Sequence, residues 1–285
     1  MRKILLFGIV LMLGLAACSS DETERTIPVT GVTLNENALT LTVGKTGNLK
    51  ATVLPENATN LNVVWNSSNT AVATITQQGV VTAVSAGETT ITVTTVDGEH
   101  KDEAVVTVEG VLINGVIWAT RNLDYPGTFA PYPHSAGRFF QWGTLDGETH
   151  HWPTTGVVTG WNSSTNRIAW TTANDPCPQG WRVPTETELN SLLSHYSWIT
   201  NWNDTGVDGR LFGTAPNQVF FPALSRRDME GTLALSFNGL SGHYWSNTPC
   251  PGLEMSARQL FFESVFGLML SPERSFGMSI RCVVE

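Results

Sequence analysis

Between Ile27 and Val108, apolar and polar residues alternate with a period of two along eight short runs. The runs are Val32–Leu34, Leu39–Val43, Leu49–Val53, Val63–Trp65, Ala73–Ile75, Val80–Val84, Thr89–Thr94 and Ala104–Val108. Turn-forming residues separate several of them, at Gly44-Lys45, Pro55-Glu56-Asn57, Gln78-Gly79 and Asp97-Gly98. Successive side chains of a strand point to opposite faces, so this alternation predicts strands with one buried face. Eight such strands within about 80 residues, with no helical period, predict a β-sandwich.

The texture changes at Gly110. Nine of the ten tryptophans fall between Trp118 and Trp245, and glycine and proline punctuate the chain. One helix signal stands out. Thr185 followed by Glu188 forms a capping box, and Leu189, Leu192, Leu193 and Tyr196 follow at i, i+3, i+4 and i+7. The pattern predicts an amphipathic helix that reaches Tyr196. Strand-like runs follow at Val219–Leu224, His243–Ser246 and Ala257–Phe262, with a terminal strand in Gly277–Glu285.

The first eighteen residues have a layout of their own. Arg2 and Lys3 precede an apolar run from Ile4 to Leu15, which ends in Leu15-Ala16-Ala17-Cys18. The run is shorter than the ~20 apolar residues a bilayer span requires. A charged start, an apolar centre and small residues before the cut are the layout of a secretory signal peptide. The ending resembles the lipobox of bacterial lipoproteins, which implies cleavage before Cys18 and diacylation of its thiol. Two acyl chains give stable anchoring where one does not. The acidic run Ser19-Ser20-Asp21-Glu22-Thr23-Glu24 resembles the surface-export signal of Bacteroidetes lipoproteins. Residues 19–28 are then an acidic tether, and the protein is expected on the outer membrane, facing the cell exterior.

Charge narrows the partners. The formal net charge is −9, and no run of three or more basic residues occurs. Phosphate binding needs clustered Lys and Arg, so nucleic acid is not an expected partner. The acidic excess is concentrated in the first part of the chain, with 4 basic against 11 acidic residues from Ser19 to Glu109. No glycine-rich phosphate loop, HExxH or GxSxG motif is present.

The alternating segment resembles the bacterial Ig-like group 2 domain. The most specific pieces are Val64-Trp65-Asn66-Ser67-Ser68, Ala71-Val72-Ala73 and Gly79-Val80-Val81-Thr82-Ala83. The resemblance covers residues 29–109 and implies a spacer or adhesion module of cell-surface proteins, with Trp65 in the sandwich core. Residues 110–285 resemble the Fibrobacter succinogenes major paralogous domain. The carrying pieces are Gly115-Val116-Ile117-Trp118-Ala119-Thr120-Arg121-Asn122-Leu123, the stretch Asn174–Thr185 with Cys177-Pro178-Gln179-Gly180-Trp181, then Tyr244-Trp245-Ser246 and Ile280-Arg281-Cys282-Val283. This resemblance implies a C-type-lectin-like fold with a loop-rich ligand face. The expected architecture is therefore two domains, an all-β Ig-like sandwich followed by an α+β C-type-lectin-like domain.

The same resemblance fits a disulfide between Cys177 and Cys282, 105 residues apart, and the export signal implies the oxidising compartment in which one persists. Read on its own, Cys177 admits two other roles. A metal ligand would want further Cys or His at short spacing, and a nucleophile would want a histidine partner, a place for which His195 and His243 are available. Cys250 is left as a free thiol or a competing partner. An oxidase role through Cys250 and Cys282 is conceivable by analogy with the formylglycine-generating enzymes, which share the lectin-like fold.

Candidate ligand-binding residues come from the loop-rich second half. Trp152, Trp161 and Trp170 lie in a stretch rich in Thr, Gly and Asn, where an indole face suits stacking on a sugar ring. Arg226 and Arg227 follow the strand ending at Leu224, where a lectin-like ligand loop would begin. Trp118, Trp142, Trp181 and Trp245 are expected in the core. No catalytic residue, metal site or cofactor is expected, and the residues give no support for a calcium requirement. The expected function is non-catalytic display of a binding domain that recognises a glycan or a surface protein. The alternatives are a structural or tip component of a surface appendage, and the oxidase.

Overall fold

In a computed structural model, residues 25–145, 147–234 and 239–285 are described. The signal segment, the lipid-anchor residue Cys18 and most of the acidic tether lie outside them. Among the described residues, no helix is long and apolar enough to cross a membrane.

The first unit comprises nine strands: β1 (Gly31–Leu34), β2 (Ala38–Thr42), β3 (Thr46–Asn48), β4 (Ala51–Leu54), β5 (Val63–Ser67), β6 (Ala73–Ile75), β7 (Val80–Ala83), β8 (Gly87–Thr95) and β9 (Lys101–Glu109). A four-stranded sheet runs β2-β9-β8-β5, a three-stranded sheet β3-β7-β6, and β1 pairs with β4. The β2–β9 pair is parallel and the β8–β9 pair antiparallel. Register sets the core. Thr89 lies opposite Val106 and Ile91 opposite Ala104, and all four are buried. With Trp65, Val81, Val93 and Val108, the apolar three (Ile91, Ala104 and Val106) belong to the sandwich core. Gly79 lets the chain just beyond β3 approach closely through its lack of a side chain. Its φ is +80°, and a Cβ there would stand 2.1 Å from the Leu49 carbonyl oxygen. The Leu49 N–H instead donates to the Gly79 carbonyl at 2.9 Å.

Strand β9 ends at Glu109, and the second unit begins at once with the hairpin Val111–Ile113 and Val116–Trp118. The Glu109 carboxylate pairs with Arg121 of that unit. Four small sheets follow. The hairpin continues through Val283–Val284 to Trp181–Arg182. His151–Pro153, Arg138–Gln141 and Gly277–Met278 form a second sheet. Tyr196–Ile199, Gly209–Thr214 and Asn217–Pro222 form a third, and Gly242–Pro249, Ala257–Phe262 and Gly267–Leu270 a fourth. The second unit is therefore richer in strand than the expected α+β mixture, and its described α-helix, α1 (Glu186–Ser191), has six residues.

The start of α1 agrees with the sequence, and its end does not. Thr185 is the N-cap of a complete capping box with Glu188, and Arg182 clamps the same carboxylate with contacts of 2.9 and 2.5 Å. Leu189 and Leu192 are fully buried. The chain then tightens into a 3-10 turn at Leu192–Ser194, and Tyr196 opens a strand instead of closing the helical face. The hydroxyls of Ser191 and Ser194 donate to the carbonyls of Glu188 and Ser191, three residues back, at 2.6 and 2.9 Å. Such bonds compete with the helical ladder.

Trp118, Trp142, Trp181 and Trp245 are all buried. Trp245 donates its indole N–H to the Phe140 carbonyl and Trp142 donates to the Ser246 carbonyl. Cys177 and Cys282 form a disulfide beneath this layer, with Cα atoms 6.1 Å apart. Asp175 positions the Cys177 loop, its carboxylate accepting from the amides of Cys177 and Val183 at 2.9 and 3.0 Å. Burial pushes its pKa up despite those two bonds.

Candidate functional site

The segment 226–233 builds one wall of a cleft. Asp228 folds it into a turn, its Oδ1 accepting from the amides of Glu230 and Thr232, both at 2.9 Å. Side-chain capture of local amides is why Asp favours such turns. Gly231 follows with φ +82°. The opposite wall is the segment 156–158, which leaves the strand His151–Pro153. Between them lies a cleft of about 500 Å³, lined by Val157, Val158, Glu230, Thr232 and Leu233, with Gly231 and Arg227 also on its lining.

Arg227 holds the two walls together. It is buried, with its Nη1 donating to the Gly231 carbonyl at 2.9 Å. Nη2 donates to Pro153, Thr155 and Gly156 at 2.8, 3.0 and 2.9 Å, and Nε donates to Pro153 at 3.1 Å. Burial lowers its pKa. The sequence put Arg227 forward as a ligand contact. The structure corrects this, because carbonyls of both walls occupy the guanidinium. Arg226 points elsewhere and is half-buried, with its guanidinium 4.9 Å from the Phe276 ring centroid. Burial lowers its pKa, and Asp228 offsets part of that.

The three candidate tryptophans separate. Trp161 is half-buried beside the cleft, its indole N–H donating to the Met229 carbonyl at 2.9 Å. Its ring lies against Gly231, where a Cβ would come within 2.6 Å of it. Trp152 packs on Trp161 with ring centroids 5.3 Å apart, and its indole N–H reaches Gln141 Oε1 at 3.4 Å. Trp170 is a correction. It is 3% exposed, tilted against Trp142 at 6.0 Å. Its backbone exchanges hydrogen bonds with the side chain of Asn247 at 3.0 and 2.8 Å. A ring so enclosed offers no face to a ligand. The structure thus gathers Trp152, Trp161 and Arg227 at one place. Sequence reading missed Val157, Val158, Gly231 and Leu233, because small and aliphatic loop residues carry no chemical signature.

The oxidase pairing is also corrected. Cys282 is bonded to Cys177, and Cys250 is a buried free thiol that lies 3.4 Å from Ser271 Oγ. Among the described residues, no group of three or more His, Cys, Asp or Glu is placed to hold a metal ion.

Residues 28–106 match the profile of the bacterial Ig-like domain (group 2). An uncharacterised protein of Clostridium acetobutylicum is 44% identical over 71 residues, 25% of this chain and 18% of that protein. An uncharacterised protein of Bacillus cereus is 33% identical over 91 residues, 31% of this chain and 69% of that protein. The chain spans less than a fifth of the length of the first curated relatives it matches. Among solved structures, domains 4 and 5 of the S-layer protein SbsC overlay with a TM-score of 0.26 at 22% identity, covering 30% of this chain and 54% of that one. An overlay that slight has no bearing on function.

Proposed function

Because this chain belongs, through residues 28–106, to the bacterial Ig-like group 2 family, we propose that it is a surface-displayed binding protein. In this reading lipid on Cys18 holds it at the outer membrane, facing the cell exterior. The Ig-like sandwich is the spacer, and the C-terminal unit is a C-type-lectin-like domain that recognises a glycan or a surface protein without chemistry. The observation that carries the binding role is the half-exposed Trp152–Trp161 pair beside an open cleft of about 500 Å³. Concave sites of this size, mostly apolar with a few polar groups, are where small ligands and chain ends bind. Among the described residues of the lining, Glu230 is the one carboxylate, whereas hydrolysis of a glycosidic bond uses a pair.

The test uses the full mature chain on arrays of glycans and of surface proteins. The expected result is at least one ligand whose signal falls about tenfold or more in Trp161→Ala, a loss typical of an anchoring aromatic residue. Ligand binding unchanged by Trp161→Ala and Trp152→Ala would remove the cleft as the site. Labelling of the cells with radioactive palmitate, present in the wild type and absent in Cys18→Ala, tests the anchor.

A further inference from the structure

A second aromatic surface lies away from that cleft, and none of the candidate residues above belongs to it. Four rings form a ladder from the core to solvent. Phe220 is buried at its base. Trp202 stacks on Phe220 at 4.7 Å with planes 10° apart. His134 meets Trp202 at 6.1 Å, and Tyr132 stacks on His134 at 5.4 Å with planes 3° apart. Tyr132 ends the ladder 60% exposed. Its ring pairs with His134 alone among the described residues.

Both segments that carry the ladder are held in place. Tyr132 sits between Pro131 and Pro133, whose rings restrict the backbone. Trp202 sits in a turn where Asn201, Asn203 and Asp204 take left-handed φ values of 52°, 47° and 59°. Non-glycine residues keep that conformation where the surroundings impose it, and such strain gathers at functional sites. Here the Asn201 amide donates to Asp208 Oδ1 at 2.9 Å, and Asn201 Oδ1 accepts from the Gly206 amide at 2.6 Å. Asn203 and Asp204, which follow Trp202 in the turn, are exposed. Pro131 and Pro133 also line a cleft of about 390 Å³ at the junction of the two units, with Glu88, Glu109 and Arg121.

We infer that the Tyr132–His134–Trp202 ladder is a binding platform for a neutral glycan chain, separate from the Trp161 cleft. A pyranose ring has an apolar C–H face that suits a flat aromatic ring, and a rim of hydroxyls that suits an amide and a carboxylate. Tyr132 supplies the face, and Asn203 and Asp204 supply the rim. The rigid ladder presents Tyr132 with little ordering left to pay on binding. Local charge selects the ligand. Glu88 and Glu109 line the cleft that Pro131 and Pro133 share with the platform, Arg121 there is paired with Glu109, and Asp204 is exposed two residues beyond Trp202. An acidic polysaccharide would meet like charge, which opposes association.

Affinity electrophoresis of the full mature chain tests the inference, with gels containing arabinan, galactan, mannan, a soluble β-glucan or polygalacturonate. The expected result is retardation by at least one neutral polymer and none by polygalacturonate. Tyr132→Ala should weaken retardation tenfold or more, Tyr132→Phe should stay within threefold of wild type, and Asn203→Ala should fall between them. Tyr132 is exposed, so its replacement leaves folding intact. Retardation by no neutral polymer, preference for polygalacturonate, or unchanged retardation of Tyr132→Ala would each overturn the platform. An effect of Trp161→Ala with none of Tyr132→Ala would support the cleft and refute the ladder.

Discussion

Cys177, in the loop ahead of α1, is covalently joined to Cys282, three residues from the end of the sequence, across 105 residues of chain. The bond pins the sheet that holds Trp181 and Val283 to the same loop that Asp175 organises. In the chain-entropy view, a cross-link stabilises by removing freedom from the unfolded chain, by about 4.7 kcal/mol for a loop of this order. Urea unfolding of the oxidised protein against the Cys177→Ala/Cys282→Ala double variant should show a loss of about 2–5 kcal/mol. A loss below ~1 kcal/mol would mean that packing alone fixes the terminal segment.

Arg227 gives a second prediction. Its guanidinium donates to carbonyls on both walls of the cleft. Arg227→Ala leaves those carbonyls without partners and removes the tie between the walls. Each lost bond to a charged donor is worth about 1.5–3 kcal/mol, and the losses do not add fully. The expected destabilisation is about 3 kcal/mol, read from the urea midpoint, with faster proteolysis in the 153–158 segment. Lys carries the charge but not the fork, so Arg227→Lys should recover less than half of the loss. Full recovery by Lys would show that charge, not geometry, holds the walls.

These two ties also mark how far the sequence could be read. The alternation around Ile91, Val93, Ala104 and Val106 gave their burial directly, because a strand's period of two is a local property. β3 carried no such signal, since Thr46-Gly47-Asn48 has no apolar residue and is a strand only by pairing with β7. The start of α1 was legible in its cap, and its end was not, because two serine hydroxyls competed for the ladder. The roles of Arg227 and Trp170 were misread for a shared reason. Apart from the Gly231 carbonyl, their partners are backbone carbonyls and an Asn side chain more than 70 residues away, and nothing local in a sequence marks a carbonyl-lined interior.

His243 makes a prediction about pH. Burial first, and the charge of Arg226 second, hold its pKa down at about 3. In the unfolded chain it titrates near 6.5. Between those values the unfolded chain carries the extra proton, so stability rises with pH, and the contribution is complete above about 6.5. Lowering the pH from 7 to 5 should withdraw about 2 kcal/mol through this residue, at up to ~1.4 kcal/mol per unit. His151 is depressed as well, again by burial first, and adds in the same direction. Urea midpoints at pH 7 and pH 5 should therefore fall less in His243→Gln than in the wild type. Equal falls in both would place the pH dependence elsewhere.

Gly231 decides whether Trp161 keeps its place. Its φ of +82° is one that L side chains rarely adopt, and a Cβ would come within 2.6 to 2.9 Å of three atoms of the indole. Gly231→Ala thus combines backbone strain with a clash, each worth about 1–3 kcal/mol. The neighbouring wall is an exposed loop, so the ring can relieve the clash by swinging outward, and the net loss should be near 2 kcal/mol. An outward swing separates Trp161 from Trp152, now 5.3 Å away, and breaks its hydrogen bond to the Met229 carbonyl. The near-ultraviolet circular dichroism of the coupled indoles should weaken, and the fluorescence maximum should move to longer wavelength. Trp152→Phe, which removes the partner without moving Trp161, should weaken the dichroism and leave the emission maximum in place. If Gly231→Ala leaves both spectra unchanged, the indole is held by contacts other than the glycine, and the cleft does not depend on this turn.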